Sequence, residues 1–585
     1  MPQDVSKPRF WFVVVFILLL FSLITYQLVQ LTIIRQKSLE EAAHKQHNMT
    51  IQVPALRGPI LDREGKELAT NLKLPSIYAV PRILTDEQKE ELIGQLSSIL
   101  NLSNEQLREK LDRPKAFVWL KRQATLEEAK KIHELNSRAL GVIDEYKRFY
   151  PQGDLLAQVI GFTNVDTQGI EGVELLFNDY LKGQDGKRLT KRDALGREIR
   201  AFEKNSIPAR DGHKVVLTID SYLQYIVEKA LDEAFVQWKA KGASAVVMNP
   251  KTGEILALAN RPTFDLNRRG DTQEENRRNR VITDMYEPGS VFKIIATSAA
   301  LNEGKATLDN IFFCENGKYR YGRKILRDAH GYGNLTFAEV LIKSSNIGTV
   351  KIAALLEPEI FQSYIEAFGF GKKSNFDLPG EVPGFTRPPS KWSKTSPYNI
   401  PMGHEILVTV LQMVGAYGVI ANDGKLMKPY VIDRIEDQKG VALMKKEPEV
   451  VRQVVRPEVA NTIKDILVLV VDEGTGTRAK IDGVKVGGKT GTAQKVLPNG
   501  GGYSHTDFIS SFIAFAPAED PQFVVGVVLD DPGPQYYGGT VAAPAVKSIL
   551  EAALMHAGYV APKEPTPIVY DADVEGAQEI SPIAE

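Results

Sequence analysis

Residues 10–34 carry no charged side chain and are dominated by Val, Phe, Ile and Leu. A helix rises about 1.5 Å per residue, so roughly 20 apolar residues cross a hydrocarbon core of about 30 Å. The run predicts one transmembrane helix, with Trp11 and Tyr26 suited to the interfaces. A cleaved signal peptide has a shorter apolar region, about 7–15 residues, and a small-residue cleavage site. Here Ile33-Ile34-Arg35-Gln36-Lys37 follows instead. Lys7 and Arg9 precede the span and Arg35, Lys37 and Lys45 follow it, so basic residues alone leave its orientation open. No second long apolar run occurs, and the remaining mass is expected on one side of the membrane.

With 585 residues the chain exceeds what one hydrophobic core usually organises, which predicts two or three domains. At 43% apolar, 25% charged and a net charge of -1, it reads as globular and shows no sign of a nucleic-acid partner. Cys314 is the single cysteine, so no intramolecular disulfide can form, and its setting after Ile311-Phe312-Phe313 predicts a buried thiol. None of the eight histidines stands in a His-Glu-x-x-His or Cys/His ligand pattern.

Residues 51–208 are turn-rich and charged, with short apolar runs at 76–80 and 116–120 and apparent helices at 86–100 and 126–140. This predicts an elongated mixed α/β region with no nucleophile–base pair. At Ala209-Arg210-Asp211-Gly212 the texture changes. Residues 215–219 read as a strand leading into a long helix over 220–238, and 243–248 with 254–259 read as a hairpin around Asn249-Pro250-Lys251-Thr252-Gly253. Residues 508–515 and 523–529 are β-rich, and the stretch between is mostly helical. The expectation is an α+β fold, its second domain an antiparallel sheet assembled from both ends of 209–559 around a helical cluster. The last helix is expected at 541–556, with disorder in the tail 560–585.

Three motifs carry the chemistry. Ser290-Val291-Phe292-Lys293 opens a helical run ending at Gly304. Residues three apart on a helix are neighbours, so Lys293 can accept the Ser290 proton if burial lowers its pKa. At Ser and Lys frequencies of about 6%, a chain this long contains roughly two Ser-x-x-Lys quartets by chance. Ser344-Ser345-Asn346 falls in a break between helical runs 337–343 and 347–356. Ser344 can relay a proton to a leaving amine and Asn346 can hold a substrate carbonyl, though the triplet also suits a helix cap. Lys489-Thr490-Gly491-Thr492 follows Gly487-Gly488. On a strand edge, Gly491 lets a substrate approach the backbone. The Thr492 N–H can complete an oxyanion hole with that of Ser290, and Lys489 with the hydroxyls of Thr490 and Thr492 can bind a carboxylate.

Together and in this order the motifs resemble the Ser-x-x-Lys, Ser-Asp-Asn and Lys-Thr-Gly set of penicillin-binding proteins and serine β-lactamases, with Ser-Ser-Asn as a variant of the second. The resemblance covers nearly the whole chain. Arg57-Gly58-Pro59-Ile60-Leu61-Asp62-Arg63-Glu64-Gly65, Arg148-Phe149-Tyr150-Pro151 and Gly169-Ile170-Glu171-Gly172 are similar to motifs in the pedestal of class B, monofunctional penicillin-binding proteins. Tyr286-Glu287-Pro288-Gly289-Ser290 and Gly474-Thr475-Gly476 also resemble that class. Residues 536–544 with Gly501-Gly502-Tyr503 look more like its division-specific branch than its elongation branch.

The resemblance implies a cytoplasmic tail over 1–9, an anchor over 10–34, a non-catalytic dimerisation-type pedestal over 35–208 and a transpeptidase domain over 209–559. It further implies a D,D-transpeptidase of septal wall synthesis acting on stem peptides ending in D-Ala-D-Ala, through an acyl-enzyme on Ser290 that β-lactams also form. Such chemistry requires no metal or cofactor. The active domain is expected outside a bacterial cytoplasmic membrane, and a membrane glycan polymerase and other division proteins are the expected partners. An inactive division scaffold is one rival. Another is an NTPase, because Gly483-Val484-Lys485-Val486-Gly487-Gly488-Lys489-Thr490 matches a phosphate-binding loop pattern; that loop should follow a buried strand and open a helix, which its flanks do not suit.

Overall fold

The structure is a computed structural model that describes residues 7–37, 48–113, 115, 117–192, 198–268, 270, 272–322, 324–497 and 502–560. The expected tail from residue 561, residues 1–6 of the expected cytoplasmic segment, Ala116 and Gly501 lie outside these described residues. Helix α1, Lys7–Val29, continues into a π turn over Gln30–Ile34, and none of its residues is buried against the rest of the chain. Lys7–Ile34 is long and apolar enough to cross a membrane. The Thr25 and Thr32 hydroxyls donate to the Phe21 and Leu28 carbonyls at 2.8 and 2.6 Å, so neither stands unsatisfied on the apolar surface.

After this helix the chain builds a sheet from β1 (Ile60–Leu61), β2 (Glu67–Ala79), β3 (Val118–Lys121) and β4 (Leu140–Phe149), in which β2 pairs antiparallel with each of the others. Helix α2, Asp86–Leu100, starts at a reciprocal cap: Thr85 Oγ1 accepts from the Gln88 N–H and the Gln88 side chain accepts from the Thr85 N–H. Helix α3 runs over Leu126–Glu134, shorter than the 126–140 expected. Asn136 takes a φ of 46° and turns the chain, and Leu140 opens β4. At the centre of this region Glu174, fully buried, binds both Arg57 and Arg148 at 2.6 Å.

Strand β5, Lys214–Leu217, pairs parallel with β1 and antiparallel with Ile432–Glu436. One sheet therefore contains strands from both sides of residue 208. Helix α4, Ser221–Gln237, follows, capped by Asp220. Strands β6 (Gly242–Met248) and β7 (Ile255–Arg261) form the expected hairpin. Helix α5 spans Lys293–Asn302, a hairpin of β8 (Lys318–Tyr321) and β9 (Lys324–Arg327) comes next, and α6 (Phe337–Ile342), α7 (Asn346–Ala353) and α8 (Val410–Ala421) continue the helical cluster. Strands β10 (Gly487–Val496), β11 (Tyr503–Ala516) and β12 (Phe523–Asp530) and helix α9 (Ala543–His556) follow.

The second sheet has the antiparallel order β7-β6-β12-β11-β10, so strands from both ends of the region are joined and β10 is an edge. Strand β6 is buried along its whole length, as expected where both faces are covered. Alternate residues serve two cores: Ala245, Val247, Phe512 and Val525 pack with α4 and α9, whereas Val246, Ile513 and Val524 pack with α5 and α8.

Candidate active site

Ser290 lies half-buried in a 3-10 turn over Gly289–Phe292, where three residues complete a turn, and Lys293 begins α5 directly beneath. The turn packs against β10: a Cβ added to Gly491 would lie 2.8 Å from the Pro288 carbonyl oxygen and 2.3 Å from Ser511 Oγ. Gly491 is thus the residue that lets the Ser290 turn meet the strand. From the other side, a Cβ on Gly538 would lie 2.3 Å from the carbonyl oxygens of Gly491 and Ser511, so residues 536–539 wall the strand pair. The Gly538 N–H donates to Thr492 Oγ1 at 3.0 Å, and Tyr536 stacks on Phe508 at 3.9 Å.

The Ser344 backbone adopts a φ of 57°, sparsely populated for a residue with a side chain. It sits between α6 and α7, whose N-cap is Ser345, accepting from the Gly348 N–H at 2.9 Å. Lys293, fully buried, donates to the Ser344 carbonyl at 2.6 Å, Asn346 Oδ1 at 2.8 Å and Ser344 Oγ at 3.3 Å. Lys489, also fully buried, donates to Ser344 Oγ at 3.0 Å, to Thr490 Oγ1 at 3.3 Å and to Thr475 Oγ1 at 3.4 Å. Thr475 and Thr490 share a hydrogen bond of 3.0 Å.

The structure therefore joins Lys293, Ser344, Asn346, Lys489 and Thr490 in one network, with Gly491 and Thr492 continuing the strand beside it. The Ser290 hydroxyl makes no hydrogen bond among the described residues. Lys293 spends its donors on Ser344 and Asn346, and both polar ends of the Asn346 amide are engaged within the chain, Nδ2 donating to the Arg327 carbonyl at 2.9 Å.

Burial pulls the Lys293 pKa down from its ordinary value to about 7, while the Asp328 carboxylate pulls the other way. Lys489 lies well below the ordinary lysine value, first through burial and second through repulsion by Lys293. A neutral amine has two N–H donors and one lone pair. With the two shortest contacts of Lys293 made to Ser344 and Asn346 oxygens, the lone pair is left to take a proton.

Asp328 was not visible as a site residue in the sequence. Its carboxylate accepts from Ser345 Oγ and from the Asn346 N–H, both at 2.6 Å, and from the Ile347 N–H at 3.1 Å, and so fixes the start of α7. A lone Asp at the end of a charged hairpin carries no pattern, and only the fold brings it to the motif. Glu287, just before the Ser290 turn, likewise receives His404 Nδ1 at 2.7 Å, the Glu405 N–H at 2.9 Å and the Tyr503 hydroxyl at 3.2 Å. The phosphate-loop pattern over 483–490 runs into strand β10 rather than a helix, which removes the geometry such a loop requires.

Residues 243–551 match the penicillin binding protein transpeptidase domain and residues 52–217 the penicillin-binding protein dimerisation domain. The chain is 33% identical to the probable peptidoglycan D,D-transpeptidase PenA of Neisseria meningitidis, over 96% of each chain. It is 36% identical to stage V sporulation protein D of Bacillus subtilis, over 94% of this chain and 86% of that protein. Identity to the peptidoglycan D,D-transpeptidase FtsI of Escherichia coli is 34%, over 85% of this chain and 83% of that one. A crystal structure of penicillin binding protein 3 from Mycobacterium tuberculosis complexed with aztreonam superposes with a TM-score of 0.68 at 28% identity, covering 88% of this chain and 98% of that one. The chain belongs to the class B penicillin-binding proteins, the family of peptidoglycan D,D-transpeptidases.

Proposed function

We propose that this transpeptidase cross-links stem peptides during septal wall synthesis through an acyl-enzyme on Ser290. The observation that carries the reading is the pair of fully buried lysines sharing the Ser344 hydroxyl, one of them three residues after Ser290. Lys293 Nζ takes the Ser290 proton as Oγ bonds to the penultimate D-Ala carbonyl carbon. The oxyanion is held by the Ser290 and Thr492 N–H groups. The C–N bond to the terminal D-Ala then breaks, its nitrogen receiving a proton through Ser344. An acceptor amine attacks the ester, loses its proton and displaces Ser290 Oγ, which is reprotonated. Lys489, Thr490 and Thr492 hold the terminal carboxylate of the donor. A β-lactam enters the same first step and stays as the ester, and the mycobacterial relative's complex with aztreonam supports this reading.

The chain is read as an anchor over 10–34, a pedestal over 35–208 and a catalytic domain over 209–559. Its N-terminus faces the cytoplasm, because the substrate lies outside the membrane, and a membrane glycan polymerase and division proteins are its partners. The test incubates the full chain in detergent micelles with glycan strands bearing D-Ala-D-Ala stems and measures released D-Ala and cross-linked product. Both should appear in equal amounts and vanish in Ser290→Ala; product from Ser290→Ala would refute the assignment. A fluorescent fusion that follows the lateral wall instead of the septum would favour the elongation branch.

A further inference from the structure

Strands β8 and β9 form a hairpin whose two faces differ in chemistry. In the antiparallel register Lys318 stands opposite Arg327, Arg320 opposite Ile325 and Tyr321 opposite Lys324. Side chains alternate across a strand, so Lys318, Arg320, Ile325 and Arg327 share one face, and all four are exposed. The other face anchors the hairpin: Leu326 is buried, and Tyr321 stacks on Tyr398 with ring centroids 4.0 Å apart. Like charges placed directly opposite destabilise a strand pair. Nevertheless Lys318 faces Arg327, and no carboxylate pairs with Lys318, Arg320 or Arg327 among the described residues. The nearest acids in sequence are engaged elsewhere, Glu315 with Lys351 at 2.7 Å and Asp328 with Ser345 and Asn346.

The hairpin that carries this uncompensated cationic face abuts the motif residues, since the Arg327 carbonyl accepts from Asn346 Nδ2 and the next residue, Asp328, fixes Ser345 and Asn346. The hairpin meets the cluster at Asn346, through the Arg327 carbonyl, whereas the donor's terminal carboxylate is assigned to the Lys489 strand. We infer that the exposed face of Lys318, Arg320 and Arg327 docks the carboxylates of the acceptor peptide. The inference rests on the transpeptidase reading above.

The test uses the full chain in detergent micelles with Lys318→Glu, Arg320→Glu and the milder Arg320→Gln. Two acceptor peptides are compared, one with free side-chain carboxylates and one with the same groups amidated, alongside the rate of fluorescent-penicillin acylation, which needs no acceptor. Charge reversal should raise KM for the carboxylate acceptor about tenfold, leaving kcat and penicillin acylation within about twofold of wild type and the amidated acceptor unaffected. An unchanged KM, an equal rise for the amidated acceptor, or lost acylation in Arg320→Gln as well as Arg320→Glu would overturn the inference. A wild-type chain that takes up no penicillin would instead sink the transpeptidase reading itself.

Discussion

At Lys293 the fold opposes the charge it would ordinarily carry. The ammonium is fully buried, and its hydrogen-bond acceptors are a carbonyl, an amide and a hydroxyl rather than a carboxylate. With the folded pKa near 7 and the ordinary value 10.5, the unfolded chain binds more protons between those limits, so this group's contribution to stability rises with pH across that window. The acylation rate should follow the neutral amine and fall as pH drops through about 7; a midpoint near 10 would contradict the assignment. Lys293→Met should abolish acylation yet raise the thermal midpoint at pH 6, where the wild type must bury a charge. The sequence showed which side chains to expect here but not how they pair. Partner choice belongs to residues some fifty positions away, and Lys293 bonds to Ser344 and Asn346 where the short spacing pointed to Ser290.

Among the elements, local signals are legible in the sequence and long-range ones are not. Helix α2 was legible because its cap and its apolar spacing agree. The hairpin of β6 and β7 was legible from its turn residues. Strand β2 was not, because Asn71, Lys73 and Pro75 interrupt its apolar pattern and its pairing with β4 is set by residues far along the chain. The helix expected over 126–140 ends early for the same reason: β4 claims its last residue for the sheet. Asp328 is the clearest case of an element-level role. Asp328→Asn keeps the size but weakens acceptance from three donors, and it should cost about 1–3 kcal/mol of stability and slow penicillin acylation at least about tenfold. Denaturation and acylation kinetics on one preparation would check both, and a wild-type acylation rate would refute the positioning role. Gly491→Val should abolish acylation, since its side chain would enter the space of the Pro288 carbonyl and Ser511.

On the scale of the whole molecule, the two regions matched by the dimerisation and transpeptidase families are joined by shared structure. The sheet containing β1, β2 and β5 extends into Ile432–Glu436, and Glu228 on α4 accepts from the Leu156 N–H at 2.8 Å. The composition shift near residue 209 marked a change of texture that the sheet itself crosses. The Arg57–Glu174–Arg148 cluster is the buried ionic centre of the first region. Removing its only anion with Glu174→Gln leaves two buried guanidinium groups underpaired and should destabilise the chain by about 3–5 kcal/mol. Thermal unfolding of the full chain in micelles would read this, and a shift below about 1 kcal/mol would show that the cluster is not the structural centre of the first region.

The measurement closest to the central claim is a denaturing gel of the full chain treated with fluorescent penicillin, with the modified peptide identified by mass spectrometry. The account predicts a stable adduct on Ser290, absent in Ser290→Ala and lost with Lys293→Met. A well-folded wild type without adduct, or an adduct on any other residue, would contradict it.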